Sequence, residues 1–144
     1  MILILAAPVG VSVLAAWWDG RTGLIPYPIS GLTGLGAVAL MATAHLPWGD
    51  LGWGAGTWAV LEGVTALHWD HFGAGDTTLL GALACWLGPL IVPLLAVTAV
   101  INLGRASVQW GTGRGWPATL RLGPSIAGAT LLLAGLAWAL GRPG

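Results

Sequence analysis

Apolar residues fall in long blocks along this chain, and polar residues gather between them. Largely apolar stretches run over 1–18, 28–46, 51–69, 77–104 and 122–140. A helix needs about 20 mostly apolar residues to cross a hydrocarbon core, and four of the stretches suit one span each. The stretch 77–104 is too long for one span and is interrupted by Gly88-Pro89, with Pro93 beyond. Proline removes a helical hydrogen bond and favours a break. The stretch is therefore predicted to divide into 77–87 and 89–104, the first half short for a full span. The pattern predicts an all-α protein, a polytopic membrane helix bundle of about six transmembrane segments. Residues 1–144 form a single membrane-embedded domain.

Arginine placement tests the division. With six segments, Arg21, Arg105, Arg114 and Arg121 share one side and Arg142 lies on the other. With five, the bias disappears. Basic loops favour the cytoplasmic side, which supports six segments with both termini outside. The loop 105–121 is then expected on the same face as Asp19. Trp17, Trp18, Trp48, Trp53, Trp69, Trp110 and Trp116 sit near the expected span ends, where amphipathic rings favour the headgroup level. Gly31, Gly34, Gly36 and the pair Gly52 and Gly56 are read as packing positions, since small residues let lipid-embedded helices approach closely.

Composition agrees with a bilayer environment. Hydrophobic residues make up 56% of the chain, charged residues 7%, and the mean hydropathy is +0.84. A soluble domain carries about 25% charged residues to face water. Net charge is zero, which gives no sign of nucleic-acid binding. Cys85 is the only cysteine, so no internal disulfide forms, and it is read as a small buried apolar residue. The first residues lack a basic region and a cleavage site, and are read as a retained first span.

The acidic residues are Asp19, Asp50, Glu62, Asp70 and Asp76. Asp50, in the turn Pro47-Trp48-Gly49-Asp50, is expected to be solvated. Asp19 ends the first span and Asp76 opens the fourth. Two spans lie between them, so both belong to one membrane face whether or not the long stretch divides. Asp76 sits in Gly73-Ala74-Gly75-Asp76, where Gly73 and Gly75 permit unusual backbone angles and close approach of another chain. A pair of carboxylates sharing one proton can work as base and acid on a peptide bond. One activates water, and the other protonates the carbonyl and later the leaving amine. The plainer reading makes both residues boundary aspartates, with Asp76 capping its helix.

The first aspartate lies in Asp19-Gly20-Arg21-Thr22-Gly23-Leu24-Ile25-Pro26. The second lies in Gly73-Ala74-Gly75-Asp76-Thr77-Thr78-Leu79-Leu80-Gly81-Ala82-Leu83, and the last span opens with Leu122-Gly123-Pro124-Ser125. In these motifs the chain resembles the type IV prepilin peptidases and the related archaeal preflagellin peptidases, over almost its whole length. It departs from their pattern at Tyr27, where Asn is usual, and at Thr78, where Lys is usual; Arg21 is the basic residue considered as a replacement for that Lys. The resemblance implies a membrane aspartyl peptidase, with Asp19 and Asp76 catalytic and Gly73 and Gly75 as motif backbone. Its substrates would be pilin-like precursor proteins, cut just before their hydrophobic helix at the cytoplasmic membrane face. Larger members carry a Cys-rich domain associated with N-methylation. That region is absent here, so peptidase activity alone is expected. No cofactor and no metal are implied.

Other polar residues suggest competing classes. Glu62, mid-span, is expected to face the bundle and hydrogen-bond there, because an exposed carboxylate would be costly in lipid. It is also the main support for a small transporter or channel subunit. His68, Asp70 and His71 precede the GxGD and are read as a polar loop bordering the site in preference to a metal site. His45 is read as structural. Thr78 suggests a third class, a non-catalytic relative that only binds pilin-like helices.

Overall fold

The computed structural model describes residues 2–67, 73–113 and 122–140, and every regular element in them is helical. The helices are α1 (Ile2–Thr22), α2 (Tyr27–Ala42), α3 (Asp50–Ala66), α4 (Ala74–Leu87), α5 (Ile91–Gly111) and α6 (Gly123–Leu140), with a 3₁₀ turn at Gly88–Leu90. Local chemistry sets most of the ends. Pro28 in the first turn of α2 and Pro124 in that of α6 lack an N–H where a helix has no partner for one. Gly23 follows α1 with φ +73°, and its N–H returns to the Asp19 carbonyl at 2.8 Å. Gly113 ends α5 in the same left-handed region, φ +76°.

Two boundaries differ from expectation. Helix α1 continues past Trp18, so Asp19 lies within its last turn. Helix α5 continues past Gly104 to Gly111, so Arg105 is helical and does not belong to a loop. Ser107 is exposed and Gln109 partly so on this extension, and the first breakers are Gly111 and Gly113.

The expected division at Gly88-Pro89 is present, and the chain reverses there. Leu87 and Leu90 line a crevice with Pro8, Leu133 and Leu140, at the end of the bundle where α1 begins and α6 finishes. Arg105 reaches Ser125 at the opposite end, where α6 begins. Helices α4 and α5 are therefore antiparallel. Gly88 makes the turn with φ +52°, a conformation that favours glycine.

The helices pack as two groups of three. Helices α2 and α3 both lie against α4, and α1 and α5 both lie against α6. Thinner contacts of α1 with α2 and α4, and of α4 with α5, join the groups. Leu79, Leu83, Ile91, Leu94 and Ile126 form a core shared by both. The closest crossing uses Gly81, where a Cβ would lie 2.9 Å from the Trp58 Cβ, and Gly54, where one would overlap the Cys85 sulfur. Cys85 is half-buried there. Gly52 and Gly56, read above as packing positions, face open space. Two residues turn a helix by about 200°, so they point away from Gly54 and from α4.

Polarity is distributed inside out. Ser12 and Thr130 share a buried hydrogen bond of 3.2 Å, and Ser125 donates to Asn102 Oδ1 at 2.6 Å. Leu32, Leu35, Val60, Val100 and Leu132 are exposed in mid-helix. Exposed Trp17, Trp18 and Trp110 ring one end of the bundle, and Trp48 and Trp53 the other. Among the described residues, two helical stretches are long and apolar enough to cross a membrane, namely Ala74–Gly111, which folds back on itself, and Gly123–Leu140.

Candidate functional site

The two aspartates occupy the same end of the bundle, one from each group of helices. Asp19 is only 4% exposed. Its Oδ2 accepts the Gly123 N–H at 3.2 Å, at the start of α6. The first N–H groups of a helix lack internal partners and carry partial positive charge, so a carboxylate is stabilised there. Glycine is needed for this approach. A Cβ at Gly123 would lie 2.8 Å from both the Cβ and Oδ2 of Asp19, and 3.2 Å from the Ala16 Cα.

Asp76 is the third residue of α4 and is half-buried. Its Oδ2 accepts the Gly73 N–H at 3.2 Å, and the Asp76 N–H donates to the Gly73 carbonyl at 2.9 Å. This is the reciprocal bond of a third-position acid in a helix cap, so the capping role foreseen for Asp76 is present. It engages one carboxylate oxygen.

Gly75 brings the two motifs together. A Cβ there would overlap the carbonyl oxygen of Ile25 and lie 3.2 Å from its carbon. The segment after α1 therefore rests directly on the first turn of α4. Of the two uses expected of the motif glycines, close approach is realised. Unusual backbone angles are not, since Gly73 has φ −74° and Gly75 is helical.

Thr78, where the resemblance expects Lys, points into the helix packing. Its hydroxyl lies 3.3 Å from Ser30 Oγ and 3.0 Å from the Ala74 carbonyl oxygen, able to donate to one at a time. The Arg21 guanidinium lies 4.2 Å from the centroid of the Trp17 ring. Glu62 makes the interior hydrogen bond expected of it: its Oε1 accepts the Thr77 hydroxyl at 2.7 Å. His45 Nδ1 lies 2.9 Å from the Thr43 hydroxyl, a local contact in the α2–α3 turn.

Asp50 differs from expectation. It opens α3 at the far end of the bundle, and its carboxylate lies against Gly88, where a Cβ would come 2.9 Å from its Cγ. The turn at Gly88 brings its bare Cα under the start of α3, so this aspartate packs instead of standing free in solvent. His68, Asp70 and His71 lie outside the described residues. Among those described, no group of three His, Cys, Asp or Glu side chains is placed to hold a metal ion.

Compared with known proteins, the chain matches no family model, no curated protein and no solved structure.

Three contacts around the aspartates were not singled out from sequence: the Gly123 N–H on Asp19, the Ile25 carbonyl against Gly75 and the Thr77–Glu62 bond. The first had a signal. Gly123-Pro124 reads as a helix start, and the same span counting that pairs Asp19 with Asp76 puts that start on their face.

Proposed function

We propose that the chain is a multi-pass protein of the cytoplasmic membrane that acts as an aspartyl endopeptidase, removing leader peptides from type IV pilin-like precursors at the cytoplasmic face. The observation that carries this reading is the meeting of the two aspartate motifs through Gly75 and Ile25, at the bundle end that holds both Asp19 and Asp76. Two carboxylates on one bundle end, drawn from separate groups of helices, have the form that peptide hydrolysis requires. One carboxylate takes a proton from water as the water attacks the scissile carbonyl carbon. The other gives a proton to the carbonyl oxygen, and the pair returns a proton to the departing amine. The Gly73 N–H bonds Asp76 Oδ2, and Oδ1 is the oxygen we assign to this work. The inside-out polarity, the tryptophans at both ends and the apolar mid-helix surface support six membrane crossings.

A binding-only relative is the second reading. It is favoured by Thr78, whose hydroxyl is engaged with Ser30 and its own helix, where the resembled family places a cation.

Incubating the purified chain in bilayers with a pilin-like precursor decides between them. Loss of the leader supports the peptidase, and stable co-purification of intact precursor supports the binding protein. Impermeant thiol labelling of single cysteines at Gly20, Gly49 and Thr112, in a Cys85→Ser background, tests the topology. Gly20 and Thr112 should label alike and Gly49 oppositely; labelling of Thr112 together with Gly49 would refute six crossings.

A further inference from the structure

We infer that Glu62 is a positioning residue for Asp76, acting through the hydroxyl of Thr77. The inference rests on the peptidase reading for its catalytic consequence, and on geometry for the tether itself. Glu62 lies in α3 between apolar neighbours, Leu61 and Val64, in a surface otherwise suited to lipid. A carboxylate there is costly unless something polar meets it. Its partner is Thr77, the residue immediately after Asp76, which is 0% exposed.

The bond differs in kind from the helix-internal contacts of several other threonines. The hydroxyls of Thr33, Thr65 and Thr130 turn back to the carbonyl four residues earlier in their own helices. The Thr77 hydroxyl also has a carbonyl of its own helix within reach, that of Ala74 three residues earlier, at 3.0 Å, but lies closer to Glu62 Oε1, at 2.7 Å. One hydroxyl proton cannot serve both fully, and the shorter contact is the one to the carboxyl group.

The location gives the bond its consequence. The Gly73–Thr77 turn is held at one side by Gly75 on Ile25 and at the other by Glu62 on Thr77. Asp76 stands between these two fixings. Its own bond, to Gly73, lies within the same turn and cannot orient the turn against the rest of the bundle. The contact between α3 and α4 is among the most extensive in the molecule, yet its close crossing at Gly54 and Gly81 is more than a helical turn away from Asp76. Without Glu62, nothing polar on α3 holds the first turn of α4.

The test uses the full chain in bilayers with Glu62→Gln, Glu62→Leu and Thr77→Val variants. Two readouts are taken: cleavage kinetics on a pilin-like precursor, and hydrogen exchange of the backbone amides over 73–78. Gln keeps an acceptor oxygen for Thr77, so Glu62→Gln should retain kcat within a few-fold. Glu62→Leu should lower kcat by roughly 10- to 100-fold at unchanged KM, since a small misplacement of a reacting group has effects of that order. Thr77→Val should do the same, and the Glu62→Leu/Thr77→Val double variant should lose no more than either alone. Exchange over 73–78 should quicken in both single variants and not in Glu62→Gln. If Glu62→Leu does not accumulate, Thr77→Val against Glu62→Gln decides the question. Unchanged exchange in the tether variants, additive losses, or a Glu62→Gln enzyme as slow as Glu62→Leu would overturn the inference. A wild-type chain that cleaves nothing would sink the peptidase reading alone, and exchange would still decide whether Glu62 holds the turn.

Discussion

The two groups of helices hold their aspartates in contrasting ways. On α1, Asp19 is buried and fixed by another helix, through the N–H of Gly123. On α4, Asp76 is half-buried and bonded within its own first turn, to Gly73. One carboxylate is locked by another helix, and the other is bonded within a turn that neighbours steer from both sides. A proton-sharing pair has use for both: a fixed member that sets the geometry and a more accessible member that meets the substrate. Asp50, at the far end of the bundle, supplies the control. It too lies against a glycine, but no second carboxylate approaches it among the described residues. Proximity to glycine is thus a packing device wherever it occurs, and only the pairing of acids distinguishes the candidate site.

Removing either acid should break the contrast most completely. Asp19→Asn and Asp76→Asn are each expected to lower cleavage by at least about 10²–10⁴-fold, the usual contribution of a general acid or base, while the protein remains inserted and abundant. A variant of either kind that processed precursor at a near-normal rate would leave the pair without a catalytic role. Comparing abundance and initial rates in the same membranes separates chemistry from folding.

The glycines that join the groups come next. Gly75→Ala and Gly123→Ala each push a methyl into atoms that have little room to move, and overpacking of this kind costs about 1–3 kcal/mol. Both should lower the thermal midpoint of the purified protein and reduce cleavage. Gly52→Ala and Gly56→Ala meet open space, and should leave the midpoint and the rate unchanged or slightly improved. If all four behaved alike, the close approaches would not be what assembles the site.

Asp50→Asn should have the smallest effect. Asn keeps the shape that fits against Gly88, and the residue lies at the other end of the bundle from the pair. Initial rates should stay within two-fold of wild type. A large loss would mean that the far end communicates with the site, and the division drawn between the two ends would fail.

Much of the fold was readable along the chain because its causes are local. Apolar blocks, Pro28 and Pro124 at helix starts, and Gly88-Pro89 at the reversal each act within a few residues. Counting the spans between Asp19 and Asp76 then required no contact at all to place them on one face. Errors arose where a helix runs on past its apolar block to a later glycine, as α1 does toward Gly23 and α5 toward Gly113, and where glycine spacing stood in for orientation. Gly52 and Gly56 have the spacing of a packing motif. Gly54, midway between them, is the one that packs, because helical phase against a particular neighbour decides which face is used.

What the sequence by itself determined is the set of helices, their order, the reversal at Gly88 and the shared end of the two aspartates, all consequences of hydrophobic length, backbone restriction and parity. What only the tertiary structure decided is which atoms meet: Asp19 with the start of α6, Ile25 with Gly75, and Glu62 with Thr77. These contacts join residues from 15 to 104 positions apart. They depend on the rotation and tilt of whole helices, which packing sets collectively and no local pattern encodes.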